Sequence, residues 1–168
     1  MSDPAIPAAT LIVMREAAGA PPELLMVERT ARMAFAGGAM VFPGGRIDDE
    51  DRDLSQALPE PDAAFRIAAI RETLEESGWE VEPTHVLGLY HHDPVDLEYG
   101  FLRIAFVAKA LRERANHQLD EGIERPVWLT RDEVVATLAL HRSPMVLRCI
   151  DDYLAGQRFP LSMLNHLD

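Results

Sequence analysis

The stretch RETLEESGW, residues 71–79, decides how this chain is read. Three glutamates, Glu72, Glu75 and Glu76, crowd two turns of a segment whose apolar pattern predicts a helix. Asp62 is the expected N-cap and Gly78 the expected stop. Ile67, Ile70 and Leu74 recur at helical spacing and predict a stripe facing the core. At about 100° per residue the glutamates fall within about 100° of one another, roughly opposite that stripe. Like charges at these spacings cost on the order of 0.2–0.5 kcal/mol per pair. They also sit in the last turns, where the helix dipole disfavours an exposed negative charge by roughly 0.3–1 kcal/mol. A helix selected for stability alone would carry lysine or arginine there.

The same face carries Ala68 and Ala69 one turn earlier, which would let another backbone approach closely. The segment nominated for that approach is Pro43-Gly44-Gly45, since glycine reaches conformations barred to other residues. Three carboxylates and a loop carbonyl are hard oxygen donors, the set that Mg²⁺ or Mn²⁺ prefers. Arg71 could brace one carboxylate by a charge-assisted hydrogen bond. Spacing alone leaves two readings standing, a solvated acidic face and a metal-holding device.

The rest of the chain predicts an α/β layered sheet domain rather than a helical bundle. ATLIVMRE (9–16) and ELLMVERT (23–30), separated by a turn-rich AAGAPP, predict a β-hairpin. AMVF (39–42) predicts a short strand that ends at the PGG turn. Residues 46–61, acidic and carrying two prolines, predict a loop. VLGLYHH (86–92), FLRIAFVAKA (101–110) and PVWLT (126–130) predict strands, with 101–106 in the core. Residues 131–140 and 143–156 predict the closing helices.

At 168 residues the chain fits one domain, with a core over about 8–140 and a C-terminal helix over about 143–155. Its net charge of −12, from 28 acids against 16 Lys plus Arg, should repel nucleic acid and anionic membranes, so no partner of either class is expected. An anionic substrate would then arrive with a divalent metal. Cys149 is the only cysteine, which rules out an internal disulfide and reads as a small buried residue. The opening MSDPAIPAATLIVM has no basic stretch, and its apolar run is too short for a signal or membrane helix. A cytoplasmic protein is expected.

RETLEESGW resembles the second half of the Nudix box, G-x5-E-x7-R-E-U-x-E-E-x-G-U, with U an apolar residue. Arg71, Glu72, Glu75, Glu76 and Gly78 match in register, Trp79 fits, and Thr73 is a weak match at an apolar position. FPGG (42–45) resembles the family's glycine-rich entry. The resemblance implies a Nudix-type α/β/α sandwich with a mixed sheet. The spacing departs from the box: Gly45 precedes Arg71 by 26 positions, so about twelve residues are inserted. Counted back from Arg71, the first glutamate of the box falls on Ala63, which puts the anchoring of the loop in question.

An expanded loop after FPGG resembles the coenzyme A diphosphatase branch of the family. Residues 24–45 partly resemble that branch's signature, L-L-T-x-R-[SA]-x3-R-x3-G-x3-F-P-G-G. Leu25, Arg29, Gly38 and FPGG fall in register, and Met26 and Thr30 are near matches. Val27 and Ala34 do not match, although Arg32 lies close to the missing arginine.

By resemblance, the activity is metal-dependent hydrolysis of a nucleoside diphosphate linked to another group. Glu72, Glu75 and Glu76 become the metal-binding and base positions, Arg71 orients a glutamate, and the Gly44 carbonyl is a candidate ligand beside Gly45. Arg29 and Arg32 are candidates for binding substrate phosphates. Glu121 and Glu124 are candidates for the additional acid that a later loop often contributes, and His91-His92 could touch substrate. The expected cofactor is Mg²⁺ or Mn²⁺. The expected substrate is a small nucleotide: coenzyme A or acyl-coenzyme A first, with NADH, ADP-ribose or a modified nucleotide as alternatives. A silent nucleotide-binding module would predict erosion of the glutamates, and all three are intact. Many members of the family are dimers, and the sequence leaves a homodimer open.

Overall fold

The computed structural model describes residues 6–16, 18–31, 37–60, 63–93, 100–141 and 143–164. Its strands are β1 (Ile6–Arg15), β2 (Glu23–Arg29), β3 (Met40–Val41), β4 (Trp79–His92), β5 (Phe101–Glu113) and β6 (Ile123–Thr130). Its helices are α1 (Asp49–Ser55), α2 (Ala63–Ser77), α3 (Arg131–Ala136) and α4 (Met145–Leu154). The strands form one six-stranded mixed sheet in the order β3-β2-β1-β5-β4, with β6 on the other edge of β2. β1 runs parallel to β5 and the remaining pairs are antiparallel. This is an α/β architecture with a mixed sheet and flanking helices on both of its faces, as the resemblance implied.

Alternation along the strands builds both faces. Ile12, Leu24, Met26, Leu87, Ala105 and Val107 pack with Val134 of α3 and with Val146, Cys149 and Ile150 of α4. The residues between them, including Leu11, Val13, Leu25, Val86 and Phe106, pack against Ala69 of α2. Cys149 is buried, as expected. Among the described residues, no helix is long and apolar enough to cross a membrane.

The expected hairpin forms, but its two strands pair only at Met14↔Leu24 and Arg15↔Glu23. Beyond that point they splay. β3 takes over the edge of β2, while the glycine loop takes over the edge of β1, with Ala9 N–H donating to Gly45 O at 3.0 Å and Leu11 N–H to Pro43 O at 3.1 Å. The FPGG segment is thereby held alongside β1. This register is what places it over α2.

Three expectations are corrected. Residues 46–61 are not all loop, because 49–55 form α1. Asp48 caps it in a reciprocal box, accepting from Asp51 N–H while Asp51 accepts from Asp48 N–H. The Ile67/Ile70/Leu74 stripe does not lead the packing of α2. Ile70 is 37% exposed, while Ala68, Ala69 and Thr73 are fully buried. Small residues face inward because the helix lies close to the sheet, and close approach favours small side chains. Thr73 takes its buried place by donating its hydroxyl to the Ala69 carbonyl at 2.7 Å. Finally, β4 begins at Trp79 rather than at residue 86.

Gly78 ends α2 as expected, with φ 73° and its N–H on the Leu74 carbonyl at 2.7 Å. The expected N-cap Asp62 lies outside the described residues. The helix expected over 131–140 stops at Ala136 and continues as a 3₁₀ turn over Leu138–Leu140.

Candidate active site

Arg71 organises the acidic face of α2. Its guanidinium spans Asp51, with Nε to Oδ1 at 3.0 Å and Nη2 to Oδ2 at 2.8 Å. Its Nη1 donates to Glu72 at 3.1 Å and to Glu75 at 2.9 Å, and Nη2 reaches Asp48 at 3.3 Å. One cation therefore ties α1 to α2 and orients two of the three glutamates. The surrounding carboxylates hold its own pKa further up, Asp51 foremost.

Asp51 is fully buried. Burial alone would raise its pKa, but the hydrogen bond from Arg71, with help from Asp48, leaves the carboxyl below its ordinary value. Sequence reading had marked Ala63 as the place of a missing acid. Counted forward from Gly45, six positions lead to Asp51, the G-x5-E spacing with aspartate for glutamate. The anchoring acid is therefore present and the insertion falls after it. The signal was available in the spacing, read from the glycine end rather than from the arginine.

The glycine loop meets the glutamates as nominated. Gly44 N–H donates to Glu76 Oε2 at 2.9 Å. A Cβ placed on Gly45 would lie 2.3 Å from the Glu72 carboxylate. Gly44 has φ 143°, and a Cβ there would lie 2.4 Å from the Ala9 carbonyl oxygen, so Gly44 requires glycine, whereas a side chain at Gly45 would displace the Glu72 carboxylate. The Pro43 and Gly45 carbonyls are taken by β1 N–H groups. Among the described residues no N–H takes the Gly44 carbonyl between them.

Glu76 is only 8% exposed. Burial pushes its carboxyl up to about 8 against the Gly44 N–H that favours the charged form, and the charges of Glu72 and Asp120 add to the rise. Glu72 is also held above its ordinary value, mainly by burial, with Glu75 and Asp120 opposing its ionisation. Carboxylates that burial and mutual repulsion disfavour as anions are a charge set that a divalent cation would relieve. The donors fit Mg²⁺ or Mn²⁺ chemically. Among the described residues no three such side chains close on one point as a formed cage. Arg71 and the Gly44 N–H hold carboxylate oxygens of all three glutamates instead.

Glu121 and Glu124 are exposed. The acid of that segment whose charge reaches Glu72 and Glu76 is their neighbour Asp120. The 2.9 Å bond from Ile123 N–H to the Asp120 carbonyl and the 3.1 Å bond from Asp120 N–H to the Glu75 carbonyl pin this loop to the end of α2. Arg29 ends β2, and its charge acts on Glu76. Arg32 lies outside the described residues. His91 is exposed at the end of β4 and meets Asp93 at 3.2 Å. Arg103, on a strand expected in the core, is near enough for the charges of Glu76 and Glu72 to act on it. Its pKa is held down by burial and pushed back up by the charges of Glu76 and Glu72.

Comparison with known proteins bears on the family and the fold. The family described as NUDIX domain matches residues 5–149. Phosphatase NudJ of Escherichia coli K12 is 31% identical over 105 residues, covering 62% of this chain and 67% of NudJ. A NUDIX hydrolase structure from Nitrosomonas europaea superposes with a TM-score of 0.79 at 28% identity, over 97% of each chain. A NUDIX hydrolase structure from Alicyclobacillus acidocaldarius gives 0.74 at 19% identity over 94% of each, a likeness of fold.

Proposed function

The chain belongs to the NUDIX family and is a pyrophosphohydrolase of it, and from that premise we propose that it cleaves a nucleoside diphosphate-linked substrate with Mg²⁺ or Mn²⁺, coenzyme A or acyl-coenzyme A first. The observation that carries this reading is the seating of the glycine loop on the glutamates, Gly44 N–H on Glu76 and Gly45 against Glu72.

Glu72, Glu75 and Glu76 hold the cation in this reading, with the Gly44 carbonyl and Asp120 beside them. Asp120 takes that role in this reading ahead of Glu121 and Glu124, because its N–H is bonded to the Glu75 carbonyl and its charge acts on Glu72 and Glu76. Arg71 keeps Glu72 and Glu75 on the side of the helix that faces the loop. The cation supplies neutralisation of the diphosphate and activation of the attacking water. Water adds to one phosphorus and the other phosphate leaves; from coenzyme A the products are 3′,5′-ADP and phosphopantetheine.

Support for coenzyme A comes from Arg29, Gly38 and FPGG in register with the branch signature. A second reading, hydrolysis of NADH, ADP-ribose or a modified nucleotide, is favoured by Ala34, which stands where that signature has arginine. None of the relatives described above is named for coenzyme A.

The test is a metal-supplemented hydrolysis screen over coenzyme A, NADH, ADP-ribose and nucleoside triphosphates, with Glu75→Gln as control. Equal turnover by wild type and Glu75→Gln would sink the site assignment. Cleavage of NADH with coenzyme A untouched would remove the branch assignment and leave the mechanism standing.

A further inference from the structure

We propose that Arg103 is a substrate-positioning residue that binds the phosphoryl oxygens of the substrate's diphosphate beside the glycine loop. The proposal rests on the hydrolase reading above and adds the protein's own contact to the diphosphate.

Arg103 sits in the middle of the sheet, on β5, opposite Ala8 of β1 and Tyr90 of β4. Ala105 and Val107 follow it on the same face and are core residues. A strand selected for packing alone would carry an apolar residue at 103 as well, because a partly buried guanidinium costs desolvation that its partners must offset. Its partners inside the protein are few. Nη1 donates to Thr10 Oγ1 at 3.0 Å, and the guanidinium lies 5.4 Å from the centre of the Phe101 ring. Among the described residues no carboxylate comes within ion-pair distance of it. The polar groups on the α4 side are committed to each other, since Tyr90 donates to Asp152 at 2.9 Å and Asp152 also takes Arg148. A guanidinium has five N–H donors in a planar fork suited to phosphate, and the described residues account for one of them.

The position connects directly to the site. Thr10 is 2% exposed and lies against Gly44, where an added Cβ would come within 3.0 Å of the Thr10 hydroxyl. Gly44 in turn donates to Glu76. Arg103, Thr10, Gly44 and Glu76 thus form a chain of contacts through the glycine loop. The positive charge of Arg29 acts on Arg103 and on Glu76 alike. Were a divalent cation to take up the charge of Glu72 and Glu76, an arriving diphosphate would be the anion that offsets Arg103.

The test measures binding of α,β-methylene-ADP, a non-hydrolysable diphosphate, by calorimetry in saturating Mg²⁺. Wild type, Arg103→Met, Arg103→Lys and Thr10→Val are compared, and Mn²⁺ binding alone and thermal melting are followed for each. The expected result is a 10- to 100-fold weaker dissociation constant in Arg103→Met, a smaller loss in Arg103→Lys and Thr10→Val, and Mn²⁺ binding no weaker than in wild type. In hydrolysis Arg103→Met should raise KM more than it lowers kcat. If Arg103→Met does not fold, the Lys and Val variants decide.

Analogue binding as tight in the folded variants as in wild type overturns the proposal, and so does a wild type that binds no analogue. If hydrolysis proceeds normally and only this binding difference is missing, the Arg103 assignment fails alone. If the analogue binds through Arg103 but nothing in the screen is hydrolysed, the function reading fails and the assignment stands.

Discussion

Asp51 and Arg71, twenty residues apart, face each other through two hydrogen bonds of 3.0 and 2.8 Å, with the carboxylate fully buried. The pair fastens α1 to the glutamate helix, and the same guanidinium holds Glu72 and Glu75. Removing either partner therefore acts on the fold and on the site together.

Asp51→Asn should destabilise the protein by about 3 kcal/mol, the scale for breaking a buried ion pair by removing one member. Its folded pKa lies below the ordinary 3.8 because the pairing outweighs burial. Stability from this group is therefore complete above the unfolded value and is lost as pH falls from about 4 through the folded one. Chemical denaturation from pH 7 to pH 3 should show a steeper loss in wild type than in Asp51→Asn. Parallel curves would remove the linkage.

Glu76→Gln should stabilise the metal-free protein while abolishing hydrolysis. The wild-type carboxyl is pushed up to about 8, so above the unfolded value of about 4.5 the folded state pays an increasing penalty to keep it or ionise it. Glutamine keeps an oxygen for the Gly44 N–H and has no charge to desolvate. Melting in EDTA at pH 8 should show a gain of roughly 1–3 kcal/mol, shrinking towards pH 5. Turnover should fall at least 100-fold. A variant less stable than wild type at pH 8 would contradict the burial argument.

Gly44→Ala and Gly45→Ala should separate fold from function. At Gly44 the new Cβ would strike the Ala9 carbonyl and the Thr10 backbone, which cannot move without breaking the pairing to β1. Loss of soluble, cooperatively melting protein is expected. At Gly45 the clash is with the far end of the Glu72 side chain, which can swing away. That variant should melt within a few degrees of wild type and lose activity by on the order of 100-fold, the scale for a small misplacement of reacting groups.

Asp120→Asn should lower kcat by roughly 10-fold and weaken Mn²⁺ binding, whereas Glu121→Gln and Glu124→Gln should change neither. The Asp120 charge acts on both Glu72 and Glu76, while Glu121 and Glu124 are exposed. Steady-state kinetics with a Mn²⁺ titration decides it; the opposite order among the three would restore the exposed acids to the site.

What the sequence determined by itself was local. Helical spacing put Glu72, Glu75 and Glu76 on one face with Arg71 one turn away, and Gly78 marked the end of the helix, because periodicity and caps depend on a few consecutive residues. The FPGG turn and the small Ala68 and Ala69 were also enough to nominate a close approach of loop and helix. Tertiary structure decided what the chain could not state in one dimension. It turned the small face of α2 inward rather than the Ile67/Ile70/Leu74 stripe, since the sheet lies too close for larger side chains there. It folded part of the acidic insertion into α1, whose seven residues are too few for a hydrophobic period and whose cap is an aspartate pair. It also brought Asp51, Thr10, Arg103 and Asp120 around the glutamates from four separate segments. Charge interactions act through space with no regard for sequence separation, so only the packed sheet and helices could select those four from the other acids, hydroxyls and arginines.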